Sequence, residues 1–349
     1  MISECLEKIV NNHNLTQDEA YQGMMDMLEG RASEVQVAAF LSALKVKRET
    51  VDELTGFARA MRYLSINVRP KTDKILVDTC GTGGDILKTF NISTAAAIIA
   101  TSCGVTVAKH GNRSITSKCG GADILEALGV NIKCGPKGVE KCLDIVGMGF
   151  MFAPYFHPAL GRLMHVRREL NIPTVFNLLG PLSSPAEAQI QLLGVFDPSK
   201  VVPMARVLQN LGVKKAMVVH GFDEKGQPAM DEISTLGKTR VAFVNGHKLS
   251  VEELNPEDMG VQRATRKDIV APESLEGNLK IIKNVLSGKT DNQSSKARLD
   301  FCLVNAAGIL FLTGKTSSLS EGVELARTNV LSGNVLTKLH DLVRVSRNS

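Results

Sequence analysis

Two short segments, Gly81-Thr82-Gly83-Gly84-Asp85 and Lys109-His110-Gly111-Asn112-Arg113, hold the residue types that grip phosphate. The glycines permit positive φ and close main-chain approach, so their amides can line a concave anion site. Asn91-Ile92-Ser93-Thr94 follows and opens a small-residue run, Ala95 to Ala100, that reads as a helix start presenting free N–H groups. The second segment adds a lysine, an arginine and a side-chain amide at the same sheet edge. A third stretch, Ser117, Cys119, Gly120 and Gly121, leads into Ala122-Asp123-Ile124-Leu125, a second helix start. Two helix N-termini facing one crevice suit a ligand with two separated phosphate groups, and the set as a whole suits a phosphorylated sugar. Each piece also has a plainer reading. The glycine segment is then a strand–helix turn, Asn91, Ser93 and Thr94 are N-caps, and Lys109 and Arg113 are solvated charges. The glycine segment is neither a Walker A loop nor the dinucleotide fingerprint, because the required spacing is missing. Asp231-Glu232 follows a glycine- and charge-rich loop, Gly221 to Gly226. As solvated turn residues these acids do nothing; as paired hard oxygen donors they suit Mg²⁺. His157 precedes a proline, a context that is more often structural than catalytic.

The elements that must position these residues fall into two kinds. Residues 1 to about 70 read as amphipathic helices, with capping-box pairs at Thr16/Glu19, Ser33/Gln36 and Thr50/Glu53. Val35, Ala38, Ala39 and Leu41–Leu44 predict a broad buried stripe on one of them. So much apolar surface on a small helical unit calls for a second lobe or a second subunit. A hinge is expected near Asn67–Lys71. From Lys74 onward, β-branched runs alternate with helices. Strands are predicted at Ile75–Val77, Val105–Ala108, Phe150–Phe152, Leu192–Phe196, Ala216–Val219 and Val241–Val244. Helices are predicted at Ser93–Cys103, Ala122–Leu128, Lys137–Val146, Ser199–Leu211, Leu279–Leu286 and Ser294–Leu312. Such alternation implies a mostly parallel sheet covered on both faces. The expected organisation is a helical domain over 1–70, with a returning segment at 158–188, and an α/β domain over 71–157 and 189–349.

Composition narrows the function classes. At 349 residues with a net charge of +5, the chain argues weakly for anionic ligands and poorly for a nucleic-acid stripe. Scarce aromatics and no tryptophan count against a base-stacking platform. Seven cysteines without a CxxC pair fit reduced thiols, and no apolar stretch reaches membrane-span length, so a cytoplasmic protein is expected.

In order along the chain, GTGGD, TFNIST, VAKHGNR, GADILEALGV, FAPYFHPAL, VRREL, TVFNLLGPL and MDE closely resemble the anthranilate phosphoribosyltransferase family. That family is related in fold to pyrimidine nucleoside phosphorylases, and the resemblance spans essentially the whole chain. It implies an α/β fold with a small discontinuous all-helical lobe and a larger lobe whose central sheet is flanked by helices. It implies transfer of a phosphoribosyl group from phosphoribosyl pyrophosphate to the amino group of anthranilate, with Mg²⁺, in tryptophan synthesis. By similarity, Gly81, Gly84, Asp85 and Thr89 line the donor loop, and Asn91, Ser93, Thr94 and Lys109 hold its phosphates. The turn of Ser117, Cys119, Gly120 and Gly121 closes over it. Ser93 touches one Mg²⁺, and Asp231 with Glu232 holds another. On the acceptor side stand Gly81, His110, Asn112, His157 and Arg167, with Arg167 paired to the anthranilate carboxylate. The resemblance also implies a homodimer through the helical lobe.

The chemistry suits these residue types. Expelling pyrophosphate builds negative charge on the leaving group, which magnesium and lysine neutralise. An aromatic amine is neutral near pH 7 and requires no strong base, so no catalytic triad is expected, and none is visible. The chain departs from the family in three places: Ile86-Leu87-Lys88 replaces a glycine-rich continuation, Gly121 replaces a common serine, and Pro173 replaces a frequent arginine. Lys88 could restore positive charge near the phosphates. Two other readings stay open: a nucleoside phosphorylase-like enzyme, against which Asn112, Arg167 and Asp231-Glu232 argue, and a non-catalytic nucleic-acid-binding relative, against which the dispersed charges argue.

Overall fold

The computed structural model describes residues 1–84, 86–87, 89–113 and 119–349. Asp85, Lys88 and Ser117, singled out above, lie outside the described residues. Four helices open the chain: α1 (Ile2–Val10), α2 (Gln17–Leu28), α3 (Glu34–Lys47) and α4 (Val51–Tyr63). All three expected capping boxes form. Thr16, Ser33 and Thr50 each accept the N–H three residues on, and Glu19, Gln36 and Glu53 accept the cap's own N–H. Each such cap is worth about 1 kcal/mol. The buried stripe on α3 differs from the expected one: Val37, Phe40, Leu41 and Leu44 are buried, while Val35 and Ala39 are exposed. The helix is apolar on every side, so its neighbours rather than its periodicity select the inward face.

The expected hinge is docked on both flanks. The Ile66 N–H donates to Phe156 O, the Val68 N–H donates to Pro185 O, and Val68 is buried. Among the described residues, eight strands then form one sheet: β1 (Leu76–Gly81), β2 (Thr106–Gly111), β3 (Met148–Phe152), β4 (Ile190–Gly194), β5 (Lys215–Phe222), β6 (Pro228–Met230), β7 (Thr239–Asn245) and β8 (Lys248–Leu254). Their order is β3-β2-β1-β4-β5-β7-β8, with β6 beside β5. Pairs from β3 through β5 are parallel, and β6, β7 and β8 add antiparallel pairs. The six expected strands and six expected helices are all present within a few residues. Strands β6 and β8 and the helices Leu319–Leu331 and Asn334–Arg347 were not expected. The first is three residues long, and β8 (KLSVEEL) is an exposed edge strand without an apolar run.

Alternate residues of the sheet serve opposite cores, as the two-residue period requires. Ile190, Leu192, Met217 and Val219 face one core with the helices Ile92–Ser102 and Gln293–Leu312. Leu193, Val195, Ala216 and Val218 face another, which they share with α1–α4. Leu163, Val166, Val175, Phe176 and Leu179 join that second core, so the segment after β3 returns to the opening helices.

One irregularity decides where a ligand can enter. Main-chain pairing between β1 and β2 is confined to Leu76–Thr106 and Val77–Val107. The β1–β4 ladder runs on to Gly81–Gly194, and the β2–β3 ladder to Gly111–Phe152. The sheet therefore parts between β1 and β2 at its carboxyl edge, where open α/β sheets receive ligands.

Candidate functional site

Two side chains bridge the parting. The Asp78 carboxylate on β1 accepts the His110 main-chain N–H at 3.1 Å, and the Lys109 ammonium on β2 donates to Thr79 O at 2.6 Å. Lys109 is 3 % exposed, so the solvated reading of this residue is wrong. Its Nζ also donates to Ser93 Oγ at 3.2 Å. Burial pulls the Lys109 pKa down, and the carboxylates of Asp78, Asp231 and Glu232 oppose that pull. Asp78 is itself fully buried, and burial raises it to about 6 against the attraction of Lys109.

Ser93 sits in the first turn of helix Ile92–Ser102. The N–H groups of Ser93 and Thr94 have no partner among the described residues, and the first bond of the helix runs from the Ala95 N–H to Asn91 O. Asn91 occupies the N-cap position but makes no side-chain cap bond. Its amide instead donates to Cys119 O at 3.1 Å, tying this helix start to the turn before the next one. The Thr94 hydroxyl is buried without a partner among the described residues, an arrangement that costs about 1–3 kcal/mol unless a ligand fills it. Gly121 abuts it: a Cβ there would stand 3.0 Å from Thr94 Oγ1, so glycine keeps this corner open. The second helix start is already satisfied in part. The Gly120 N–H donates to Asp123 Oδ2 at 2.8 Å, and the Ala122 N–H to Asn112 O. Arg113 is not a lone solvated charge; it pairs with Asp123 and Glu126 over the Phe152 ring. Thr89 makes a single antiparallel bridge to Val270.

The glycine segment divides its work. Gly83 and Gly84 adopt positive φ, +64° and +83°. Gly81 does not; it is glycine because a Cβ would lie 2.0 Å from Asp231 Oδ2. A Cβ on Gly194 would lie 1.5 Å from Asp231 O. The Met230–Asp231 segment thus crosses the ends of β1 and β4 over two glycines, and the Gly83 N–H donates to Asp231 Oδ2 at 2.9 Å. Asp231 is only 9 % exposed, which excludes the solvated-turn reading, and burial raises its pKa. Thr79, Gly81, Ser93, Asp231, Glu232 and Asn305 border one small cavity of about 40 Å³. Two carboxylates, a hydroxyl and a buried position that disfavours uncompensated negative charge fit a hard cation such as Mg²⁺. Among the described residues no three His, Cys, Asp or Glu side chains gather around one point, so a cation here would complete its shell with water or ligand oxygens.

On the other side of the β2 end, His110 and His157 meet edge to face with centroids 5.1 Å apart. Burial drives His110 to about 3 and His157 to about 4, so both are neutral near pH 7. Both Nε2 atoms are buried without a hydrogen-bond partner among the described residues. Asn112 stands exposed just beyond β2, and its Oδ1 accepts the Arg113 N–H. Arg167, on helix Met164–Leu170, lies 4.9 Å over the Phe176 ring and makes no ion pair among the described residues. Burial lowers its pKa, as expected of a guanidinium whose counter-charge is missing.

Sequence reasoning missed Asp78 and Asn305. Each had a signal: an acid inside the apolar run Ile75-Leu76-Val77-Asp78, and a lone amide inside Phe301-Cys302-Leu303-Val304-Asn305-Ala306-Ala307.

Comparison with known proteins agrees with this architecture. Residues 3–65 match the helical bundle domain of a glycosyl transferase family, and residues 73–336 match its a/b domain. The chain is 50% identical over 343 residues to the anthranilate phosphoribosyltransferase of Methanothermobacter marburgensis, covering 98% of each. The crystal structure of anthranilate phosphoribosyltransferase from Thermus thermophilus superposes with a TM-score of 0.89 at 38% identity, covering 98% of this chain and 99% of that one. The Saccharomyces cerevisiae enzyme in complex with PRPP and Mg gives 0.88 at 27% identity, covering 100% and 98%.

Proposed function

The chain belongs to the anthranilate phosphoribosyltransferase family, and on that premise we propose how its cleft works. The reaction moves a phosphoribosyl group from phosphoribosyl pyrophosphate to the amino group of anthranilate, giving N-(5-phosphoribosyl)anthranilate and pyrophosphate in tryptophan biosynthesis. The observation that supports this reading best is the contrast between neighbours on β2. Lys109 donates to Ser93, which borders the cavity of Asp231 and Glu232, while His110 meets His157 on the opposite side. Successive strand residues point to opposite faces, so one strand end separates an anion subsite from an aromatic one.

On the donor side, the free N–H groups of Ser93 and Thr94, the glycine turn and Lys109 hold phosphate, and Asn91 holds the Cys119–Gly121 turn against it. Asp231 and Glu232 would hold Mg²⁺, which when bound neutralises charge growing on the departing pyrophosphate. On the acceptor side, Arg167 takes the anthranilate carboxylate in its planar fork, and the neutral histidines and Asn112 line the channel. His110 and His157 withdraw no proton; an arylamine is already nucleophilic, and catalysis comes from positioning and electrostatics.

The same reading divides the chain into a helical lobe of 1–70 plus 158–188 and an α/β lobe of 71–157 plus 189–349, supported by the core that α1–α4 share with Leu163–Leu182. It makes the protein a homodimer through the helical lobe, supported by exposed Val10, Val35 and Val46. It places the enzyme in the cytoplasm, supported by seven cysteines that form no disulfide among the described residues. The decisive experiment mixes purified protein with anthranilate, phosphoribosyl pyrophosphate and Mg²⁺. Anthranilate fluorescence should fall with time, and constant fluorescence at high enzyme concentration would refute the assignment.

A further inference from the structure

Helix Gln293–Leu312 carries a buried stretch, Phe301 to Leu310, in which Asn305 is the one polar side chain. Asn305 is 2 % exposed, and an amide buried there costs stability unless it is bonded. Among the described residues, its bonds go to a single place outside its own helix. Asn305 Oδ1 accepts the Ile233 N–H at 3.0 Å, and Nδ2 donates to Ile233 O at 3.1 Å. Nδ2 also donates to Phe301 O at 2.9 Å. The side-chain amide thus pairs with both main-chain groups of the residue that follows Glu232. One turn onward, Gly308 leaves room for the Ile233 side chain, since a Cβ there would stand 2.9 Å from Ile233 Cδ1. Asn305 also borders the cavity of Asp231 and Glu232. The acid pair is therefore held from two directions: Gly81 and Gly194 seat Asp231 from the sheet, and Asn305 grips the chain from the opposite layer.

We infer that Asn305 is a positioning residue that sets the acid pair for the divalent cation by fixing the main chain at Ile233. This rests on the reading of Asp231 and Glu232 as the cation's ligands. A purely structural amide would lower stability and leave metal affinity alone. An outer-shell clamp lowers metal affinity when it is removed, typically by about 10- to 100-fold.

The test compares Asn305→Leu, similar in size but unable to bond Ile233, with Asp231→Asn/Glu232→Gln and the parent. Two quantities are read: Mn²⁺ bound without substrates, from loss of the free-ion paramagnetic resonance signal, and the Mg²⁺ concentration giving half-maximal activity. Asn305→Leu should weaken Mn²⁺ binding and raise the Mg²⁺ requirement by about 10-fold or more, with the anthranilate KM within about threefold of the parent. Parent-like Mn²⁺ binding in Asn305→Leu, alongside weakened binding in the acid double variant, overturns the role of Asn305 alone. Parent-like Mn²⁺ binding in the double variant overturns the underlying reading of the acids. If Asn305→Leu does not fold, Asn305→Ser carries the same expectations. A serine hydroxyl can bond back to the Phe301 carbonyl but cannot span both groups of Ile233.

Discussion

Arg167 and the two buried histidines make the acceptor side testable residue by residue. Removing a charge-assisted contact costs about 1.5–3 kcal/mol, so Arg167→Ala should raise the anthranilate KM roughly 10- to 150-fold. The phosphoribosyl pyrophosphate KM should stay near the parent value, and an equal rise in both would remove Arg167 from the acceptor pocket. The histidines set a pH dependence of stability. His110 at about 3 and His157 at about 4 lie below their usual 6.5 because burial disfavours the charged ring. Between pH 6.5 and 4 the unfolded chain therefore binds more protons, and stability falls as the pH falls. Asp78 acts oppositely: raised by burial from 3.8 to about 6, it contributes stability that is full at low pH and lost as the pH rises through 6. Asp231, also raised by burial, acts with Asp78, and His220, lowered by burial, acts with the other two rings. Three rings outweigh two carboxyls, so the melting temperature should drop on acidification from pH 6.5 to 4. Asp78→Asn should steepen that drop and His157→Asn should make it shallower; a flat profile would contradict these burial effects. Of the residues involved, His110, His157 and Arg167 were legible from motifs. Asp78 was not, because its importance lies in a gap between strands that no local pattern announces.

Among elements, the glycine platform beneath Asp231 does the most. Gly194→Ala would drive a methyl into the Asp231 carbonyl, 1.5 Å away, so the crossing segment must move. Overpacking of this kind costs about 1–3 kcal/mol or more, and calorimetry should record a lower melting temperature together with a raised Mg²⁺ requirement. An unchanged protein would show that the crossing segment adapts freely. Caps, strands and most helices were readable because each has a local cause: a Thr-x-x-Glu box, a β-branched run, a glycine before a helix. Gly194 carried no such mark. It closes an ordinary strand, and its constraint comes from Asp231, 37 positions later in the chain. The unexpected edge strand β8 shows the same limit, since its charged sequence pairs only because β7 offers it a ladder.

At the scale of the whole molecule, α3 presents Val35 and Val46, 79 % and 85 % exposed, three turns apart on one face. Single exposed valines are ordinary, but an aligned pair with Ala39 between them suits a partner surface. Val35→Asp with Val46→Asp should yield a monomer by sedimentation without altering helical content, and a parent that already sediments as a monomer would dismiss the dimer. The misread stripe on α3 belongs here too: a helix apolar on all sides has one face for its own lobe and another to spare. The parting between β1 and β2 has a mechanical consequence. Below Val77 and Val107 the sheet is stitched by its backbone, whereas above them the ties across the gap among the described residues run through two side chains, Asp78 and Lys109. The mouth of the cleft is thus held like the pages of a book bound only at the spine, its two leaves clasped above by side chains rather than by the ladder.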